Sequence, residues 1–181
     1  MGDVVVHSSQ YLSDDDLQAV AAYLKSLPAS THEASAFEAN PATAQALQAG
    51  VNDSRGAELY VDSCAACHRT DGMGYPHAFP KLAGNSSVLA DDPSSLIRVV
   101  LAGASLPSTN RAPSPLGMPG FAWRLSDDVT AQLVTFIRNS WGNRASAVSA
   151  SQVRKIRDEL DTESHTRDDG HGARPAGEAK S

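Results

Sequence analysis

Residues 63–74 read SCAACHRTDGMG, and Cys64, Cys67 and His68 within them restrict the fold more than any other feature of the chain. These are its two cysteines. Thiols three positions apart cannot staple distant parts of a structure, so they are no disulfide framework. Spaced i, i+3 and i+4, all three side chains share a face if the segment is a helical turn. The motif therefore asks for one turn that presents two sulfurs and an imidazole to a single partner.

Cys-x-x-Cys-His is the attachment signature of c-type haem. Two thiols on one turn can both form thioethers to the porphyrin edge, and the adjacent histidine then reaches the iron. A structural zinc site would need a second ligand pair, and no second cysteine pair follows. A thioredoxin-like dithiol would need a strand ahead of the motif, whereas a helical pattern leads into it. Two incidental cysteines in a helix are the bland alternative. Aromatic residues make up only 6% of the chain, few for a dense core, and a large bound cofactor would supply the missing apolar volume.

With His68 on one side of the iron, the other position can be Met, His or open. Met118 stands in LGMPGF, a Gly/Pro-rich loop suited to carrying a ligand across a ring. Met73 follows His68 by five residues and would have to turn sharply around the ring edge; His77 and an open position remain alternatives. A lone Met is otherwise a gap-filler in a core. The remaining ring N–H of His68 needs a carbonyl to fix its orientation, and Pro80 in FPKLAG is the candidate provider. Arg98, Arg111 and Arg124 are candidates for haem propionates, with solvated surface arginines as the plainer reading. Tyr60, Trp123 and Trp141 could pack on the ring or in the core.

Helical patterns surround the motif. SDDDLQAVAAYLKSLP has Ser13 as N-cap, acidic residues in the first turn, Leu17, Val20, Ala21 and Leu24 on one face, and a stop at Pro28. NDSRGAELYVDSCAACH reads as a helix capped at Asn52 or Asp53. DDPSSLIRVVLAGA carries Leu96, Ile97, Val100 and Leu101 on one face behind Pro93. LSDDVTAQLVTFIRNSWGN has a Ser126 cap and a stripe of Val129, Leu133, Phe136 and Ile137. SQVRKIRDEL suggests a short helix packing through Val153, Ile156 and Leu160. No strand pattern stands out. HEASAFEANPATAQALQAG reads as a linker with room for short helical turns, and DTESHTRDDGHGARPAGEAKS, without Leu, Ile, Val or aromatics, as disordered. LSDDDLQAVAAYLKS (12–26) also aligns without gaps on LSDDVTAQLVTFIRN (125–139), which favours a duplicated element.

GAELYVDSCAACHRTDGMGYPHAFPKLAGN, followed by LIRVVLAGA, MPGFAWRLSDD and FIRNSWGN, resembles a class I cytochrome c domain. More closely, it looks like the last haem domain of the three-haem cytochrome subunit of bacterial membrane-associated dehydrogenases, those that oxidise alcohols, aldehydes, gluconate or sorbitol. The resemblance covers residues 51–145, and residues 1–28 look like the end of a preceding haem domain, with Met1 at a ligand position. It implies that Cys64 and Cys67 carry the thioethers and that His68 and Met118 are the axial ligands. The family has three Cys-x-x-Cys-His motifs and this chain has one. Together with the absence of a recognisable signal peptide, this suggests a fragment or a truncated start.

The expected architecture is all-α, a cytochrome c fold of about three main helices around one covalent haem c, with an extra N-terminal helix. Its parts are a remnant helix (1–28), a linker (29–50), a mono-haem domain (51–145), and a short helix with a disordered tail (146–181). The expected function is one-electron transfer rather than catalysis. By resemblance, a dehydrogenase subunit or neighbouring haem domain is the donor and a quinone or oxidase the acceptor. The location is periplasmic, at the outer face of the inner membrane and attached only by association. A net charge of −6 argues against nucleic acid, and no apolar run approaches the roughly 20 residues of a membrane span. A haem domain with an open sixth position and a zinc-binding module are the alternatives.

Overall fold

The computed structural model describes residues 2–28, 37–76 and 78–170, with side chains to residue 166. Local capping chemistry sets most helix starts. After the short helix α1 (Gly2–His7), α2 (Asp14–Ser26) begins where Ser13 accepts from the Asp16 amide and Asp16 reaches back to Ser13, a reciprocal capping box. Helix α3 (Ala42–Gln48) lies inside the stretch expected to be a linker. It docks through buried Leu47, and the Asn40 amide donates to the Trp141 carbonyl at 2.9 Å.

Helix α4 (Arg55–Ser63) starts at Ser54, which accepts from Ala57 at 3.2 Å, so neither Asn52 nor Asp53 is the cap. A single turn, α5 (Ala65–His68), holds the motif, and α6 (Ser86–Leu89) is equally short. Helix α7 (Ser94–Ala102) buries Leu96, Ile97, Val100 and Leu101, the stripe read from spacing. An unanticipated two-residue antiparallel ladder follows, β1 (Ala104–Ser105) against β2 (Gly117–Met118), with Ala104 opposite Met118. Helix α8 (Asp127–Arg138) is capped by Ser126 as expected, and α9 (Ala150–Gly170) is the last element of the described residues.

The centre of the core is the crossing of α4 and α8. Gly56 sits at the contact, where an added β-carbon would lie 2.6 Å from both the Gln132 carbonyl oxygen and Phe136 Cβ. Tyr60, Phe136 and Trp141 pack there with ring centroids 5.0 to 6.0 Å apart. On α8 the buried face is Thr130, Leu133, Val134 and Ile137, while Val129 and Phe136 are only partly covered.

Helix α9 packs on α7 and α8 through Val153, Ile156 and partly covered Leu160. It continues through residues 161–170, where disorder was expected from composition. Once packed residues nucleate a helix, each further residue adds a hydrogen bond without a new nucleation cost, so a polar extension can remain helical. Residues 171–181, also expected to be disordered, lie outside the described residues. Helix α2 buries no residue at all.

Candidate functional site

The motif is positioned by a break in the helix. Cys64 leaves α-helical geometry at φ −121°, ψ −35°, and α5 starts a new turn from it. The His68 amide donates to the Cys64 carbonyl at 2.9 Å and the Arg69 amide to Ala65 at 2.8 Å. Cys64 is buried and Cys67 half-buried, and no disulfide joins them. Before a haem is attached, burial, reinforced by nearby Cys67 and Asp62, pushes the Cys64 thiol up to about 12.

His68 is buried, and its Nδ1 lies 2.9 Å from the Pro80 carbonyl oxygen. A carbonyl can only accept, so Nδ1 carries a proton, and in the neutral ring it is Nε2 that offers a lone pair. Pro80 is held in turn by its surroundings. The Leu82 amide donates to the Gly72 carbonyl at 2.7 Å. Asn143, itself buried, donates to the Leu82 and Ile137 carbonyls and accepts from the Gly84 amide at 2.8 Å.

Cys64, Cys67, His68, Pro80 and Met118 line one cleft. Its other walls include Phe79, Val99, Leu106, Leu116 and Phe121, and among the described residues no Asp, Glu, Lys or Arg contributes. Sequence reasoning missed these apolar walls. Their only signal was their placement beside the Gly/Pro-rich loops. Met118 is half-buried on β2 and packs against the core. The donor set suits a haem: two thiols on one turn, an imidazole with its outer nitrogen satisfied, a thioether, and apolar walls.

The remaining sequence candidates fall elsewhere. Arg98 faces α9, with Glu163 at 2.6 Å and Glu159 at 3.6 Å, and Arg124 pairs with Asp62. Neither is among the residues that line the cleft. Arg111 pairs with Asp14 at 2.7 Å, and Met73 is an exposed turn residue. His77 lies outside the described residues. Tyr60 and Trp141 belong to the core, where Tyr60 donates to the Arg69 carbonyl at 2.6 Å and Trp141 Nε1 to Thr70 at 2.8 Å. Trp123 is 83% exposed. Among the described residues no three of His, Cys, Asp and Glu converge to hold a metal ion, so the zinc reading finds no ligand set.

A family model described as Cytochrome c matches residues 54–141. The chain is 48% identical over 158 residues to the cytochrome c subunit of the quinone alcohol dehydrogenase of Gluconobacter oxydans, an overlap of 87% of this chain and 33% of that protein. It is 46% identical over 167 residues to the gluconate 2-dehydrogenase cytochrome c subunit of Pantoea cypripedii, covering 91% of this chain and 38% of that protein. Cytochrome c-552 of Thermus thermophilus is 31% identical over 110 residues, 56% of this chain and 83% of that protein. The chain thus spans about a third of the length of these two dehydrogenase subunits.

Proposed function

The chain belongs to the cytochrome c family, and from that premise we propose that a haem joined to Cys64 and Cys67 is ligated by His68 and Met118. The function is one-electron transfer through covalently bound c-type haem, and the chain is an electron carrier rather than an enzyme. The observation that carries the ligand assignment is the sharing of one apolar cleft by both thiols, the His68 ring and Met118.

When bound, the haem supplies an iron that alternates between ferrous and ferric states. The protein's residues do the rest. The thiols tether the ring and His68 offers Nε2 with its orientation set by Pro80. The Met118 thioether, a soft donor, favours the reduced state and raises the potential. The apolar walls exclude water, which favours the less charged form of the centre.

We further propose that the donor is a dehydrogenase subunit or an adjoining haem domain, and that a quinone or oxidase accepts the electron. This rests on the dehydrogenase subunits the chain resembles. A periplasmic site of action, with association to the membrane rather than insertion, belongs to the same proposal. No described helix is long and apolar enough to cross a membrane. Residues 1–28 read as the closing helix of another haem domain. In support, Val20, Ala21 and Leu24 match Leu133, Val134 and Ile137, which α8 buries, yet α2 leaves its face uncovered.

The test is an absorption spectrum of the chain matured by a c-type assembly system, oxidised and reduced, beside Met118→Ala. Sharp reduced c-type bands and a weak far-red sulfur-to-iron band that the variant loses support the assignment. c-Type bands unchanged in the variant would hand the sixth position to another group or leave it open, which carbon monoxide binding to the reduced protein would reveal.

A further inference from the structure

We propose that Gly103 and Gly120 form a joint that positions Met118, so that the end of α7, and not the long loop from 106 to 116, sets where the sulfur stands. The inference rests on Met118 as the sixth ligand.

Helix α7 stops at Ala102, and its last carbonyls lack helical partners. The segment just past Met118 fills that need: the Phe121 amide donates to Val100 and the Ala122 amide to Leu101, both at 3.0 Å. On the other side of the joint, Ala104 pairs with Met118 across β1 and β2. Met118 is therefore held by backbone bonds at its own position and again three residues on.

Both strands meet through glycine because nothing larger fits. Gly103 has φ 77°, ψ −175°, a conformation L side chains avoid. A β-carbon there would lie 2.7 Å from the Gly120 amide nitrogen and 3.0 Å from the Pro119 carbonyl carbon. A β-carbon on Gly120 would lie 2.7 Å from the Leu101 carbonyl oxygen and from the Ala102 carbonyl carbon. Every one of these neighbours is backbone, which cannot swing aside as a side chain would. One residue before Met118 the constraint is gone: a β-carbon on Gly117 meets nothing nearer than the Ala104 oxygen at 3.8 Å. Leu106, where the long loop begins, is 55% exposed. The tight fit is confined to the joint.

The experiment compares four variants of the haem-loaded chain: Gly103→Ala, Gly120→Ala, Met118→Ala and Gly56→Ala. The readouts are the far-red sulfur-to-iron band, carbon monoxide binding to the reduced form, and far-ultraviolet circular dichroism. Gly103→Ala and Gly120→Ala are expected to keep covalent haem and helix signal, lose the band and bind carbon monoxide. Gly56→Ala, which crowds the α4–α8 crossing, is expected to melt earlier with the band intact, separating lost stability from a misplaced ligand. If Met118→Ala loses the band while both joint variants keep it, the ligand stands and the joint falls. If Met118→Ala keeps the band, the ligand assignment falls and the joint with it. Loss of helix signal in both joint variants overturns the joint as a local device.

Discussion

His68 Nδ1 and the Pro80 carbonyl oxygen stand 2.9 Å apart, and Gly74 is folded so closely on that carbonyl that a β-carbon there would lie 2.6 Å from the same oxygen. The turn following the motif thus builds the contact that orients the motif's own histidine. Gly74 also has φ 59°, a left-handed conformation that only glycine adopts without strain. Gly74→Ala is expected to cost on the order of 1–3 kcal/mol. It should read as a lower urea midpoint with unchanged slope. A variant as stable as the parent would mean that the loop yields and that the contact is slack.

Arg138 is 1% exposed and has no carboxylate within hydrogen-bonding reach among the described residues. Its guanidinium instead donates to the Val88 and Ala90 carbonyls at 2.8 Å and to Ser146 at 2.9 Å, tying α6 and the segment before α9 to the end of α8. Burial holds its pKa below the ordinary value. Arg138→Met fills the space but leaves three carbonyls unpaired, each costing about 1–3 kcal/mol. The expected outcome is a large fall in denaturation midpoint, with Arg138→Lys recovering part of it. A methionine variant close to the parent would mean that water takes over these carbonyls.

Asp127 anchors α9, receiving Arg157 Nε at 2.8 Å and Arg154 Nε at 3.2 Å. The Arg157 hydrogen bond first, and then Arg154, holds its carboxyl below the ordinary carboxylate value despite some desolvation. A lowered folded pKa means that the unfolded chain takes up the proton first on acidification. The stabilisation is therefore complete above the unfolded value of about 3.9 and is lost as pH falls through the lower folded one. Asp127→Asn should cost no more than about 1 kcal/mol at pH 7 and flatten the acid limb of stability against pH. An identical acid limb in the variant would rule the pair out as its source.

Leu24 and Ile137 occupy matching places in the repeated helix, yet Leu24 is 59% exposed and Ile137 3%. Leu24→Asp is expected to leave the thermal midpoint of the isolated chain unchanged. Ile137→Asp, which buries a charge without a partner, is expected to unfold it. Destabilisation by Leu24→Asp would show that α2 packs on the domain in solution.

What could be read in advance was local. Ser13 and Ser126 cap their helices because a hydroxyl reaches amides two or three residues ahead, a relation the sequence itself contains. The apolar stripe of α7 followed from helical spacing. The start of α4 was misplaced because Asn52, Asp53 and Ser54 are all competent caps in tandem, and the packing of Gly56 against α8 selects the register. The ion pairs of Arg98 and Arg124 were out of reach for a related reason. Their partners Glu163 and Asp62 lie 65 and 62 residues away, a separation that spacing cannot resolve.

The sequence by itself determined the chemistry of the site, since two thiols and an imidazole spaced three and one apart must share a turn wherever that turn is placed. It also determined which helices have a face to bury. Only the tertiary structure decided what meets the motif: the Pro80 carbonyl on His68, Met118 brought to the same cleft from 50 residues along the chain, and α8 covered where its near-copy α2 is bare. The reason is that such contacts are made between segments by packing and loop closure, and their free energy depends on all the surfaces that meet at once rather than on any one stretch.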